Sequence, residues 1–219
     1  MQTEKKRLVI LISGRGSNMS SLLEAAKNRE INGEVVAVIS NKASATGLDV
    51  AREAGIAAAV VDHKAYQSRE DFDAALLAVV ASYQPDLVIL AGFMRILTPV
   101  FVRPLRGKLI NIHPSLLPKY PGLHTHERAI AAGDREAGAT AHFVTEELDG
   151  GPAIIQARVP ILPEDTPETL AARVLEQEHK IYTEAVRLLC NNQVSYSESG
   201  YVQANGKILP QSGIIHIRA

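Results

Sequence analysis

The sequence predicts an α/β fold, with a doubly wound, mostly parallel Rossmann-like sheet, helices on both faces and an antiparallel extension in the C-terminal half. Three observations predict it. Uncharged runs rich in Val, Ile or Leu are typical of strands buried on both faces, helix-period segments separate these runs, and the second half adds two further strand patterns around a Gly-rich turn. The five buried runs are residues 8–12, 35–39, 57–61, 87–91 and 109–112.

The helical pattern is clearest between the third and fourth runs. Apolar side chains recur there at the spacing of one helix face from Phe72 to Tyr83, and Ser68 precedes them as an N-cap. Because strands and helices alternate, we expect right-handed crossovers and a parallel sheet. Ligands of such sheets bind outside the carboxyl ends of the strands, so the residues that follow each strand are the candidates for a site.

The second half is predicted to contain two strands, a long helix and a hairpin. The strands are expected over residues 139–145 and 153–159. A helix over about residues 167–189 follows, with Thr166 as its N-cap. The Asn-Gly pair at 205–206 is typical of a hairpin turn.

Composition favours one globular domain over residues 1–219 and excludes several classes of partner. Apolar residues make up 46%, charged residues 21%, and the net charge is −1, which argues against a polybasic surface for nucleic acid or membrane. The single cysteine, Cys190, cannot form an internal disulfide and fits a reducing compartment. The first apolar run is too short for the core of a secretory signal. We therefore expect a cytoplasmic protein.

The first candidate site is the glycine loop after the first strand, SGRGSN at residues 13–18. The dinucleotide fingerprint fails because Met19 stands where a third glycine is needed, and the P-loop fails because no Gly-Lys-Ser/Thr follows. A generic phosphate cradle from Gly16, Ser17 and Asn18 remains, at the start of a helix. The alternative is a plain tight turn in which Ser17 caps the helix.

The second candidate is the end of the fifth run, where Asn111 and His113 interrupt apolar residues and Pro114 stops the strand. Residues two apart in a strand point to the same face. An amide can donate to a carbonyl oxygen on which charge develops, and an imidazole can move protons near neutral pH. The alternative is a hydrogen-bonded polar pair that closes the strand.

Two carboxylates complete the candidates. Asp149 lies in a tight turn, where aspartate is common, and it gains a role only if the turn folds over His113, whose charged form it would then favour. Glu178 lies on the apolar face of the long helix, four residues after Val174 and three before Ile181. A buried charge needs a partner or a ligand, although a position at the rim of the face is the alternative.

His113 could form a metal site together with three further histidines, His124, His126 and His142. Neither an HExxH motif nor a Cys/His pairing is present, so we expect no metal and give the three further histidines no role. Cys190 is expected to be a small core or rim residue.

Five segments together resemble the folate-dependent formyltransferases, in the order of that family over about residues 7–190. They are SGRGSN (13–18), AGFMRIL (91–97), NIHPSLLPKYPGLHTH (111–126), HFVTEELDGG (142–151) and QEH (177–179). The block from Asn111 to His126 is specific to folate-dependent formyl transfer in general. The glycine loop and QEH point to the members that act in purine synthesis.

The resemblance implies transfer of a formyl group from 10-formyltetrahydrofolate to the amine of 5-phosphoribosylglycinamide. It implies a phosphate-binding half (1–107), a folate and catalytic half (108–190) and a C-terminal tail without a motif (191–219). The catalytic residues it implies are Asn111, His113 and Asp149, and the substrate-binding residues are Gly16, Ser17, Asn18 and Glu178. The folate-binding residues it implies are Arg69, Met94, Arg95, Ile96, Leu97, Asn111, Thr145, Glu146, Glu147, Leu148 and Asp149.

Three rival functions stay open at this point. A hydrolase that releases formate from the same folate would use the same three residues with water, but that family carries a further domain before the core, where we see only MQTEKKR. A transferase acting on charged tRNA would need a further C-terminal domain and a basic face. A non-catalytic phosphate-binding module would need the glycine loop alone. We expect small-molecule partners only, and a monomer or homodimer.

Overall fold

The computed structural model describes residues 4–218, with side chains up to residue 214, and its contacts divide the chain into two compact units after Ile110. Residues 1–3 and 219, which the predicted domain includes, lie outside the described residues. The single domain over residues 1–219 stays a prediction.

The first unit alternates strands and helices, as the sequence predicts. Its elements are β1 (Lys6–Ile12), α1 (Ser17–Lys27), β2 (Gly33–Ser40), α2 (Gly47–Glu53), β3 (Ala57–Val60), α3 (Arg69–Ser82), β4 (Leu87–Leu90) and α4 (Pro99–Val102). The strand order is β4-β1-β2-β3, and every pairing among these four strands is parallel. Ser68 caps α3 by accepting a hydrogen bond from the Asp71 backbone N–H, as predicted.

The core of this unit lies around β1 and β4, whose central residues are fully buried. The third run differs from the expectation of a strand buried on both faces, because Ala57 and Val60 at the ends of β3 are exposed. β3 is the last strand in the order and has a neighbour on one side only. An uncharged run thus also fits an edge strand made largely of alanine.

The second unit combines an antiparallel pair with a long helix. Its elements are the end of β5 (Leu109–His113), α5 (Thr125–Ala131), β6 (Glu136–Phe143), β7 (Ala153–Pro160), α6 (Pro167–Cys190), β8 (Val194–Tyr196), β9 (Val202–Ala204), β10 (Lys207–Ile208) and β11 (Ile214–Arg218). The order is β11-β7-β6-β5, with β6 antiparallel and β11 parallel to β7. The strand predicted over residues 139–145 starts earlier and ends at Phe143.

The C-terminal residues form a second sheet, in which β8, β9 and β10 are antiparallel. Asn205 and Gly206 both have positive φ, 50° and 74°, as a two-residue hairpin turn between β9 and β10 requires. The predicted hairpin is therefore confirmed. Together, the parallel strands of the first unit and the antiparallel strands of the second confirm the predicted α/β class.

The helix α6 begins where its N-terminal signals place it. The Thr166 side chain accepts from the Thr169 backbone N–H, the Thr169 hydroxyl accepts from the Thr166 N–H, and Pro167 takes the first helical position. The predicted N-cap is confirmed, and the helix ends one residue beyond the predicted range. Within residues 4–218, none of the helices has both the length and the apolar character needed to cross a bilayer.

Candidate active site

His113 and Asp149 lie side by side in the second unit. His113 is the last residue of β5, and Asp149 lies in the loop between β6 and β7 with a φ of 51°. The Asp149 Oδ2 atom lies 3.5 Å from His113 Nδ1 and accepts a 2.8 Å hydrogen bond from the Gly122 backbone N–H. The two side chains are 7% and 9% exposed, so the pair is shielded from bulk water. The turn at Asp149 thus folds over His113.

The contact of Nε2 of His113 determines which ring nitrogen carries the proton in the neutral form. Nε2 lies 2.9 Å from the backbone carbonyl oxygen of Tyr120. A carbonyl oxygen can only accept, so Nε2 carries a proton and donates it. In the neutral ring Nδ1 then holds the lone pair, and it faces the carboxylate of Asp149.

Tyr120 is itself held by a charged cluster. Its hydroxyl donates to Asp134 Oδ2 at 2.9 Å, and Lys119 Nζ lies 2.9 Å from both oxygens of the same carboxylate. The Arg128 guanidinium stacks on the Tyr120 ring, 5.1 Å from its centre, and donates to the Pro121 carbonyl. These contacts fix the loop whose carbonyl binds His113.

Asn111 contacts His142, a residue without a predicted role. Asn111 Nδ2 lies 3.4 Å from His142 Nε2, which is long for a hydrogen bond. His142 Nδ1 lies 2.9 Å from the Phe143 carbonyl and must donate to it, so Nε2 is an acceptor. Burial lowers the pKa of His142 to about 4, although its contact with the Phe143 carbonyl and the nearby Asp149 act in the opposite direction. A neutral His142 thus orients the Asn111 amide with its NH₂ group toward His142 Nε2.

A pattern in the sequence indicates that His142 needs a hydrogen-bond partner. Thr140 and His142 lie two residues apart in a strand of small apolar residues, and so share one face of β6. Both are buried, and Thr140 is hydrogen-bonded to the carbonyl of Ser115. Polar residues on one face of a buried strand need partners, and β5 with Asn111 is the neighbouring strand.

The glycine loop lies in the first unit, at the end of β1. Gly16, with a φ of 69°, is the N-cap of α1, and no side chain caps the helix. The alternative in which Ser17 caps it is therefore wrong, because Ser17 is already the first helical residue. The N–H groups of a first helical turn have no acceptor within the helix and can bind an anion. Gly16 and Ser17 are partly exposed, and Asn18 is buried.

The predicted folate residues of the first unit lie at the start of α3 and in the loop between β4 and α4. Arg69, at the start of α3, donates a 2.6 Å hydrogen bond to the Ile96 carbonyl. Met94 and Ile96 are 69% and 58% exposed, although both are large apolar side chains. Arg95 stacks on Phe72, 5.8 Å from the ring centre. Leu97 is half-buried beside them in the sequence.

The predicted folate residues of the second unit form the loop before Asp149. Thr145 is half-buried, Glu146 and Glu147 are exposed, and Leu148 is 51% exposed. Gly150 closes the turn by donating to the Glu147 carbonyl. A Cβ atom on Gly151 would collide with the Phe143 carbonyl, so this position requires glycine.

Glu178 lies on α6 within the buried face that also carries Val174 and Ile181, and it is 9% exposed. The prediction of its place on the apolar face is confirmed. Among residues 4–218, no cluster of three or more His, Cys, Asp or Glu side chains is placed to hold a metal ion. Cys190 is buried, at the end of α6.

Comparison with known families decides the relationship. The model of the formyl transferase family matches residues 6–186. The chain belongs to this family.

Relatives in the formyl transferase family are similar over nearly the whole chain. The phosphoribosylglycinamide formyltransferase of Escherichia coli K12 is 49% identical over 206 residues, which cover 94% of this chain and 97% of that protein. The trifunctional purine biosynthetic protein adenosine-3 of Bos taurus is 45% identical over 202 residues, 92% of this chain and 20% of that protein.

A solved structure of the formyl transferase family has the same fold. The phosphoribosylglycinamide formyltransferase of Coxiella burnetii superimposes with a TM-score of 0.91 at 46% identity. The superposition covers 97% of this chain and 99% of the other.

Proposed function

We propose that the protein transfers a formyl group from 10-formyltetrahydrofolate to the amine of 5-phosphoribosylglycinamide, a step of purine biosynthesis. The observation that carries the proposal is the buried His113–Asp149 pair beside Asn111. Membership of the formyl transferase family and relatives named phosphoribosylglycinamide formyltransferase support the same reaction. We propose catalytic roles for Asn111, His113 and Asp149.

The proposed role of Asn111 is to stabilise negative charge. Attack of an amine on a formyl carbon places that charge on the formyl oxygen. The Asn111 NH₂ group has two protons, of which one is directed at His142 and the other is left to donate to that oxygen. Losing one such donor typically costs about 2.7–4 kcal/mol of barrier.

The proposed role of His113 is to move the proton. The attacking nitrogen must lose a proton and the leaving nitrogen must gain one. Since the Tyr120 carbonyl occupies Nε2, Nδ1 is the atom that accepts and returns the proton. Such general acid–base help is worth about 10²–10⁴-fold in rate. Asp149 stabilises the charged ring that exists between the two transfers.

The remaining proposed residues bind the two substrates. Gly16, Ser17 and Asn18 would hold the phosphate at the start of α1, where the positive end of the helix dipole favours an anion. Glu178, on the buried face of α6, would accept from the sugar hydroxyls.

The residues proposed for the folate fit a flat, partly apolar ligand. In the first unit the exposed side chains of Met94 and Ile96 offer apolar surface for a pterin ring, and in the second unit the exposed side chain of Leu148 offers the same. Arg69 adds a positive charge suited to a carboxylate. We further propose small molecules as the only partners, a monomer or homodimer, and a cytoplasmic location.

The test is an assay of the purified protein with both substrates, in which the formylated amine, the released tetrahydrofolate and free formate are measured. We expect one formylated product for each folate released, and no formate above a no-enzyme control. Formate without formylated amine would overturn the proposal in favour of a hydrolase. No turnover would overturn it in favour of a phosphate-binding module.

A further inference from the structure

Ser13 occupies a position that the proposed reaction does not use. It follows β1 as the first residue of the glycine loop, and it is 7% exposed. Its hydroxyl lies 2.7 Å from the backbone N of Met94 and 2.6 Å from Oδ1 of Asn41. Asn41 follows β2 and is completely buried. Three segments at the carboxyl ends of neighbouring strands therefore meet at one hydroxyl group.

The direction of each hydrogen bond follows from the donors present. The Met94 N–H can only donate, so the Ser13 oxygen accepts from it. The single proton of Ser13 is then free to go to Asn41 Oδ1. On the other side, His63 Nδ1 lies 2.9 Å from the Asn41 backbone carbonyl and donates to it, which holds Asn41 in place. The donor and the acceptor of both hydrogen bonds of the Ser13 hydroxyl are thus determined.

Backbone contacts restrict the same two segments further. The Ser13 N–H donates to the Gly92 carbonyl at 3.1 Å, just before Met94. On the other side of the loop, the Gly47 N–H donates to the Gly14 carbonyl at 3.1 Å. A Cβ atom on Gly47 would lie 2.9 Å from the Arg15 carbonyl oxygen, so α2 packs directly against the loop. The loop and the Met94 segment therefore have little freedom to move independently.

We propose that Ser13 and Asn41 are positioning residues that hold the glycine loop and the Met94–Leu97 segment in one fixed arrangement. The inference rests on the proposed function, in which the loop binds the phosphate substrate and the segment binds the folate. Because one hydroxyl joins the two segments, its loss weakens the binding of both substrates together. The reacting groups Asn111, His113 and Asp149 are not part of this network, so chemistry at saturation is preserved.

The experiment measures KM for each substrate and kcat in Ser13→Ala, with Ser40→Ala as the matched control. Ser40 is also fully buried, but its hydroxyl accepts from the nearby Lys42 N–H and, among the contacts described for residues 4–214, joins no second segment. In Ser13→Ala we expect both KM values to rise at least about fivefold, while kcat changes less than about twofold. In Ser40→Ala both KM values stay within about twofold of wild type.

A conservative variant separates positioning from a merely structural role. Asn41→Asp keeps an oxygen acceptor for Ser13, and its second oxygen takes the place of Nδ2, which lies 3.3 Å from His63 Nδ1. We expect its KM values to stay within about twofold of wild type, whereas Asn41→Ala reproduces the Ser13→Ala effect. A protein that is only less stable would lose active fraction, and hence apparent kcat, without a change in KM.

The outcomes distinguish the inference from the function on which it rests. A wild-type protein without formyl transfer overturns the proposed function itself. Wild-type activity together with unchanged KM values in Ser13→Ala, or a rise in only one of them, overturns the inference alone. Should Ser13→Ala fail to fold, the contrast between Asn41→Ala and Asn41→Asp makes the same test.

Discussion

The protonation of His142 follows from its contacts in the second unit. The Phe143 carbonyl requires a proton on Nδ1, and burial lowers the pKa of the ring to about 4. At neutral pH the ring is therefore uncharged, with an acceptor at Nε2 that faces Asn111. A histidine that the sequence offers only as a possible metal ligand is in fact a fixed hydrogen-bond acceptor.

Substituting His142 tests this role. His142→Leu removes the acceptor and lets the Asn111 amide rotate, so kcat should fall about tenfold, the equivalent of one hydrogen bond. His142→Gln can present an oxygen to Asn111 and should stay within about threefold. Steady-state kinetics at pH 7.5 measure both, and equal losses in the two variants would contradict the role.

At the level of elements, the loop between β6 and β7 holds Asp149 through its glycines. Gly151 packs against the Phe143 carbonyl, where no side chain fits, whereas the three atoms nearest to a Cβ atom on Gly150 all belong to the Glu147 side chain. Glu147 is exposed and can move. Adjacent glycines in the same turn thus carry very different constraints.

Substituting each glycine by alanine makes this difference measurable. Gly151→Ala should displace Asp149 and lower kcat/KM about 10²-fold, the usual cost of misplacing a catalytic group by about 1 Å. Gly150→Ala serves as the control and should remain within about threefold of wild type. A Gly151→Ala variant with normal kcat/KM would show that Asp149 does not depend on this contact.

The sequence predicts the elements better than the contacts between them. The apolar runs, the Ser68 and Thr166 caps and the Asn205–Gly206 turn depend on local chemistry, so they can be read along the chain. The exposure of β3 depends on its place at the edge of the strand order. Such a place is decided by packing, and local patterns do not contain it.

In the candidate site, too, the residues can be predicted from the sequence but their contacts cannot. Asn111 and His113 are visible as polar residues at the end of an apolar strand, and Asp149 as a turn residue. The contact of His113 with the Tyr120 carbonyl cannot be predicted from the sequence, because every residue type has a backbone carbonyl that could accept. The partnership of Asn111 with His142 also escapes the sequence, since it requires β6 to lie beside β5.

At the level of the whole molecule, several histidines make the stability of the folded chain depend on pH. Burial is the main cause that lowers the pKa of His126, His142 and His179 in the folded chain. The unfolded chain binds protons near pH 6.5, whereas His142 in the folded chain binds one only near pH 4. Unfolding therefore takes up protons between these values, and stability falls as the pH drops through this window.

Urea denaturation at pH 7.5 and pH 5 measures this effect. The His142 proton alone should reduce the free energy of unfolding by about 2 kcal/mol between the two pH values. His142→Gln has no proton to gain at this position, so its loss should be smaller by that amount. An identical pH dependence in the two proteins would mean that His142 titrates normally in the folded state.

The central claim is that His113, paired with Asp149, moves the proton during formyl transfer. The most direct measurement is kcat/KM for formylation of the phosphorylated amine by His113→Ala, with His124→Ala as the control, because His124 is 73% exposed and pairs only with a neighbouring glutamate among the described contacts. We predict a loss of about 10²–10⁴-fold in His113→Ala and less than about twofold in His124→Ala. A kcat/KM for His113→Ala within a few-fold of wild type, in a folded protein, would contradict the claim.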